Sequence, residues 1–339
     1  MLLIRADASA EVGTGHIMRC LALGQAAIDD GCPVTFLCHG LSAALGRRLA
    51  FEGFAVRELP REPGSDEDAD YTAKTARELD VRAIVVDGYH FDQRYGERLK
   101  GAGVPLVYID DSPGEPAIAA DLILNQNLWA SDDLYPGRQV LTGSAYTLLR
   151  REFNRERHWA REVREEAENI LINLGGADPQ NFLRVVLETF SEIKGPGKAG
   201  FSLHVLCGAH NPRFEELAGI AGALPHRVRI EAHLDDIPGA MKWADIAISG
   251  AGFTTFELAF MGVASLIIVN HPLQAPNARF LEREGLALAV EASAGSLLSG
   301  LRQIVADRDF RERVVRLGRV KFDGLGAGRV YEAILFLRG

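Results

Sequence analysis

Cysteine is scarce here: Cys20, Cys32, Cys38 and Cys207 are four among 339 residues, and no two form a C-x-x-C pair. A disulfide framework is therefore excluded, and a reducing, cytoplasmic setting is expected. Positive charge is also short, with Lys and Arg numbering 37 against 46 Asp and Glu, for a net charge of −9. Non-specific binding to nucleic acid or to an anionic membrane has no electrostatic footing on such a chain. No apolar run approaches the roughly 18 residues of a membrane span. The start, MLLIRADASA, does not read as a signal peptide. Low-complexity tracts and short-period repeats are missing too. So are the H-E-x-x-H metal pattern, the P-loop lysine, the G-x-S-x-G elbow and the G-x-G-x-x-G dinucleotide fingerprint. No metal or cofactor is expected on these grounds, and a monomer is the default.

What is present is an ordinary globular composition, 47% hydrophobic and 24% charged. At about 150 residues per domain it suits two domains. Short aliphatic runs alternate with helical patterns along the whole chain. The first series is LLIR, PVTFLC (33–38), RAIVVD (82–87), PLVYID (105–110) and DLILN (121–125). The second is NILINL (169–174), FSLHVL (201–206), RVRIEA (227–232), DIAIS (245–249) and ASLIIV (264–269). Continuous apolar runs separated by helices indicate parallel sheets covered on both faces, so the fold class is α/β, twice over. The charged stretch REFNRERHWAREVREEAEN (151–169) reads as a solvated face or linker helix and marks the junction. The expected domains are 1–155 and 156–339. The C-terminal AGRVYEAILFLRG has helical spacing at Val330, Ile334 and Leu335 and is open to packing on either one.

Three glycine-bearing loops follow strands, where open α/β sheets place ligands. In EVGTGHIMRC (11–20), Gly13 and Gly15 allow close backbone approach, and His16 begins a helix. A helix N-terminus disfavours imidazolium, which leaves a neutral imidazole able to accept a proton. A glycine turn with a capping histidine is the ordinary alternative. In LINLGGADPQNF, Asp178 is a suitable N-cap with Pro179 at the first helical position. The amides of Gly175, Gly176, Ala177 and Asp178 are placed either to face a diphosphate or simply to close a capped turn. In SGAGFTTFELAF, Ser249, Gly250, Ala251 and Gly252 precede a helix carrying Glu257. That glutamate is placed to accept from two vicinal ribose hydroxyls, or else is solvated. Gln274 and Asn277 open the next helix, able to bond neutral polar groups. Further polar residues gather at strand ends in the first half: Arg5 and Asp7; Asp87, Tyr89 and His90; Asp110 and Asp111; Asn125, Gln126 and Asn127. All fall at the carboxyl edge of one expected sheet.

At this point a resemblance enters. RADASAEVGTGHIMRCLALG (5–24) is similar to the N-terminal motif of the UDP-sugar hydrolases of pseudaminic acid biosynthesis, the PseG family. DGYHFD (87–92), YIDDSP (108–113), DLILNQN (121–127) and LTGSAYTLLRREF (141–153) match in the same order. The second half, through NLGGADP and SGAGFTTFELAFMG with QAPNARFLEREG, resembles the UDP-binding half of MurG-type glycosyltransferases. The likeness thins from about 185 to 240 and after 290.

The resemblance implies two Rossmann-like domains with a cleft between them, the glycosyltransferase-B architecture. It implies hydrolysis of UDP-2,4-diacetamido-2,4,6-trideoxy-β-L-altropyranose at the anomeric carbon without a metal. Inversion is expected, with release of UDP and free sugar. His16 is then the catalytic base. UDP lies on Gly175–Asp178 and Ser249–Gly252, with Glu257 on the ribose. Arg5, Asp7, Gly13, Gly15, Tyr89, Asn125, Gln126, Gln274 and Asn277 are the expected substrate contacts. A MurG-like UDP-sugar transferase and a non-catalytic nucleotide-sugar-binding protein are the alternatives.

Overall fold

The computed structural model describes residues 1–8, 13–111, 118, 120–175, 178, 180–196, 200–208, 211–269 and 274–337. The chain forms two compact units, Met1–Asn154 with Gly324–Gly339, and Arg155–Asp323.

The first unit runs β1 (Leu2–Ala6), α1 (Gly15–Asp29), β2 (Val34–Cys38), α2 (Ala43–Phe51), β3 (Ala55–Glu58), α3 (Asp66–Glu78), β4 (Ala83–Asp87), α4 (Gln93–Lys100), β5 (Leu106–Ile109), β6 (Leu122–Asn125), β7 (Val140–Thr142) and α5 (Arg151–Asn154). Its strands form a 7-stranded parallel sheet in the order β3-β2-β1-β4-β5-β6-β7. Alternate residues of β1 point to opposite faces. Leu2 and Ile4 enter one core with Ile17 and Leu21 of α1, while Leu3 enters another with Ala69 and Ala73 of α3 and Leu99 of α4. Both faces are covered, which is why the central strands of this sheet are largely apolar.

The second unit runs β8 (Asn169–Asn173), α6 (Phe182–Thr189), β9 (Ser202–Leu206), α7 (Phe214–Ala223), β10 (Arg227–Glu231), α8 (Ile237–Trp243), β11 (Ile246–Gly250), α9 (Thr254–Phe260), β12 (Ala264–Ile268), α10 (Ala275–Arg283), β13 (Ala287–Val290), α11 (Ala294–Ala306) and α12 (Arg308–Lys321). Its 6-stranded parallel sheet has the order β10-β9-β8-β11-β12-β13, the same winding as the first. A final helix, α13 (Gly326–Phe336), returns to the first unit. There Ala327, Val330, Tyr331 and Ile334, spaced for one helical face, join the core that holds α1. The α/β class with two Rossmann-like domains is therefore what the chain adopts.

The charged junction is solvated along much of its length, as its composition suggested, but it is not a linker helix. Helix α5 ends at Asn154, and no helix covers 155–168. Arg311 instead donates to the carbonyls of Arg164 and Glu165, and Arg319 to those of Glu156 and Arg157. Arg161 donates to the carbonyls of Met241, Ala244 and Met261, where α8 and α9 end. Backbone carbonyls and arginines thus hold this segment against the second unit. Among the described residues no helix is long and apolar enough to cross a membrane.

Candidate active site

In each sheet the strand order reverses at one place, and the loops leaving the carboxyl ends of the two flanking strands diverge there. That is where doubly wound sheets open a crevice for ligands. In the first unit the flanking strands are β1 and β4; in the second they are β8 and β11. The three glycine-bearing loops leave β1, β8 and β11.

His16 is the second residue of α1, behind Gly13, whose φ of 77° requires glycine. A Cβ on Gly15 would meet nothing within 4 Å, so the backbone beside His16 is open. Its ring is 5% exposed and packs edge-on against Tyr89, with centroids 4.8 Å apart. Nδ1 lies 2.5 Å from Oδ1 of Asp87, the last residue of β4. Asp87 is fully buried and accepts from Arg19 as well, through Nε at 2.6 Å and through Nη2, while Cys20 Sγ lies 3.3 Å from Oδ2. Burial alone would raise the carboxyl's pKa. The charge of Arg19, with hydrogen bonds from Arg19 and His16, outweighs that and holds it well below the usual carboxylate range. Arg19 also reaches Asp111 at 2.8 Å, and the Tyr89 hydroxyl donates to the same carboxylate at 3.1 Å. Burial first, then the charge of Asp111, push the Tyr89 phenol above its ordinary value, so it remains a donor.

Arg5 and Asp7, expected at the substrate, form a different network. Arg5 is fully buried and its guanidinium is engaged by Asp7 (2.6 Å), by both oxygens of Asp68 (2.9 and 3.1 Å) and by the Leu37 carbonyl. Asp68 in turn accepts from Tyr95, Thr72 and the Gly64 amide. Asp7 accepts from the His39 amide at 2.7 Å and faces His90 Nε2 at 3.2 Å. Fully buried, Arg5 ties Asp7, after β1, to Asp68 of α3 and to the Leu37 carbonyl of β2. Asn125 and Gln126 are internal as well. Asn125 bonds Tyr135 and Asn127, and Gln126 accepts from the Leu148 amide at 2.8 Å. All three, Arg5 included, are buried and hydrogen-bonded within the first unit.

In the second unit Gly175 follows β8 with φ 95°, a glycine conformation; Gly176 and Ala177 lie outside the described residues. Helix α6 begins at Phe182, not beside Asp178, because Asp178 and Asn181 both have positive φ. The Asp178 carboxylate still serves as cap, accepting from the amides of Phe182 and Leu183 at 2.9 and 3.0 Å. Those two amides are thereby occupied by the protein's own anion. Ser249 and Gly250 end β11, and Ala251 and Gly252 lead to α9. Glu257 is 5% exposed, which removes the solvated reading. Gln274 stands next to this loop: a Cβ on Gly252 would lie 3.5 Å from its Nε2. Among the described residues nothing hydrogen-bonds its buried Oε1. Asn277, in the first turn of α10, is 8% exposed.

The sequence reading set Asp87 and Asp111 among many strand-end residues and passed over Arg19. The available signal was spacing: His16 and Arg19 are three apart on one helix, so they share a face. Pairing of β1 with β4 sets Ala6 opposite Asp87, and that brings the carboxylate to them.

Residues 170–314, from β8 into α12, match the model of the glycosyltransferase family 28 C-terminal domain. The chain is 24% identical over 290 residues to the UDP-2,4-diacetamido-2,4,6-trideoxy-beta-L-altropyranose hydrolase of Campylobacter jejuni, covering 84% of this chain and 97% of that protein. It is 22% identical over 278 residues to an uncharacterized protein of Methanocaldococcus jannaschii, of whose length the chain spans about half, 55%. Among solved structures, Acinetobacter baumannii MurG aligns with a TM-score of 0.71 at 18% identity, over 99% of both chains. The fold is glycosyltransferase-B-like.

Proposed function

We propose that this protein hydrolyses a UDP-linked diacetamido-trideoxy sugar at the anomeric carbon, with inversion and without a metal, releasing UDP and the free sugar for pseudaminic acid synthesis. The observation that carries the reading is the buried imidazole of His16 at the reversal point of the first sheet. It sits on the motif that resembles the hydrolases, and the C. jejuni relative matches over nearly its whole length.

In this reading the second unit binds UDP. The diphosphate meets the backbone about Gly175 and Ser249–Gly252, the ribose meets Glu257, and Gln274 and Asn277 meet neutral groups of the sugar. His16 takes a proton from water as the water oxygen bonds to the anomeric carbon. The bond from that carbon to the diphosphate breaks, and UDP departs with its electron pair. Backbone amides suffice to receive the charge that develops on a leaving group already this stable. General base catalysis of this kind contributes on the order of 10²–10⁴-fold.

A second reading has its own support. The family 28 domain and the whole-chain likeness to MurG suit a transferase that passes the sugar to an acceptor hydroxyl. One experiment separates them: UDP release from UDP-2,4-diacetamido-2,4,6-trideoxy-β-L-altropyranose without metal or acceptor, with the anomeric proton followed by NMR. Hydrolysis predicts prompt release with inversion, reduced about 10²–10⁴-fold in His16→Ala. Release only after an acceptor is added overturns hydrolysis in favour of transfer.

A further inference from the structure

Asp87, Arg19 and Asp111 are buried or half-buried ionised groups that the proposed reaction has not yet used. The groups facing His16 are Arg19 from its own helix and Asp87 and Tyr89 from the end of β4, with Cys20 against Asp87 and Asp111 behind Arg19 from the loop after β5. Two of them compete for one ring nitrogen. Asp87 Oδ1 lies 2.5 Å from Nδ1, and Arg19 Nη2 lies 3.0 Å from it.

The two contacts imply opposite tautomers. A guanidinium donating to Nδ1 requires a bare Nδ1 and leaves the proton on Nε2, where no base could act. A carboxylate beside Nδ1 requires an N–H there, because two lone pairs cannot share 2.5 Å. Ionised Asp87 can only accept, its contact is the shorter, and Arg19 already has carboxylate oxygens of Asp87 and Asp111 for its donors. The proton therefore belongs on Nδ1.

We infer that Asp87 is the positioning residue of His16, fixing the tautomer that leaves Nε2 free, and that the Arg19–Asp111 pair holds Asp87 in place. This rests on the proposed role of His16 as base. When Nε2 takes the proton from water, the imidazolium keeps its Nδ1–H toward Asp87. The carboxylate faces that charge without taking the proton, because Arg19 still neutralises it. The cation on Arg19 in turn keeps an unpaired buried carboxylate from arising before the reaction.

The test reads the tautomer directly, by ¹⁵N NMR of the intact protein labelled at histidine nitrogens, with His16→Ala to assign the signal. In its neutral form His16 is expected to carry the proton on Nδ1 and to leave Nε2 bare. A protonated Nε2 in the wild type overturns the inference without any further variant. Asp87→Asn is then expected to mix the tautomers and lower kcat by roughly 10³–10⁴-fold, as loss of an orienting carboxylate does in the serine protease triad, with KM within about threefold. A kcat within threefold of wild type and an unaltered ¹⁵N pattern would sink it. Because Asp87→Asn leaves Arg19 buried beside a neutral partner, Asp111→Asn provides a second arm at a side chain that is 19% exposed. It is expected to lower kcat about three- to tenfold at constant KM; a rise in KM with unchanged kcat counts against the clamp. Failure of the two ideas stays distinguishable. If wild type releases no UDP, the hydrolase reading falls while the tautomer stands on its own measurement. If it releases UDP but Asp87→Asn is silent, only the positioning role falls.

Discussion

The half-buried Asp7 and the fully buried Asp87 are shifted in the same direction by their partners. Burial raises each pKa, and the neighbours of each more than reverse the shift: His90 and Arg5 at Asp7, Arg19 and His16 at Asp87. Both folded values lie well below the unfolded one, near 3.9. A depressed folded pKa contributes stability that is complete above the unfolded value and is lost as pH falls through the folded one. The free energy of unfolding should therefore decline below about pH 4. Asp7→Asn should flatten that decline, since one fewer proton is taken up on unfolding. Denaturant melts between pH 5 and pH 2.5 check this; an unchanged slope would remove Asp7 from the account. On the ligand side, Glu257 is the residue whose burial separates it from an ordinary surface glutamate. Glu257→Ala should weaken UDP binding by about 1.5–3 kcal/mol, the range for a hydrogen bond to a charged group, with little change in kcat. Calorimetry with UDP alone reads it, and an unchanged affinity would move the ribose elsewhere.

At the scale of elements, what was readable depended on position in the sheet. The ten apolar runs singled out in the sequence all became strands, and the three strands it did not single out, β3, β7 and β13, are all at sheet edges. Every residue of β3 is exposed and every residue of β7 is half-buried, so neither carries the continuous apolar run of a covered strand. His16 was legible because loop, glycine and helix start are local. Its partner Asp87 was not, because only parallel pairing of β1 with β4 brings residues 71 apart together. The charged junction was legible as a boundary, since the units divide at Asn154, but composition cannot show that its arginines will find backbone carbonyls. Burial pushes the Arg161 guanidinium down to about 10, yet it remains charged at neutral pH and donates three bonds at the ends of α8 and α9. Arg161→Met keeps the apolar stem but removes all three donors. It should cost the second unit about 1–3 kcal/mol, measurable as an earlier denaturation midpoint, whereas a shift within error would make the strap ornamental.

For the whole chain, the consequential feature is that the first unit is finished by the last helix. The backbone leaves that unit at Asn154 and re-enters it at Gly324, so residues far apart in sequence complete its core. Helix α13 brings Ala327, Val330, Tyr331 and Ile334 onto the face of α1, and the Tyr331 hydroxyl reaches Asp30 at 3.2 Å. Entry is tight at one residue. A Cβ on Gly326 would lie 2.3 Å from the Thr147 carbonyl oxygen, a backbone atom that cannot step aside cheaply, while one on Gly328 would meet nothing within 4 Å. The two glycines therefore predict opposite signs in one helix. Gly326→Ala should destabilise by about 1–3 kcal/mol through overpacking. Gly328→Ala should be neutral or stabilising by up to about 1 kcal/mol, since alanine is the better helix former. Hydrogen exchange locates the effect: in Gly326→Ala, protection should fall across β1 and β4, beside the proposed base, and stay constant across β8 and β11. Equal loss in both sheets would mean that the two units unfold as one. No loss in either would mean that α13 decorates the first unit without completing it, and that the geometry about His16 is held by residues before Asn154 alone.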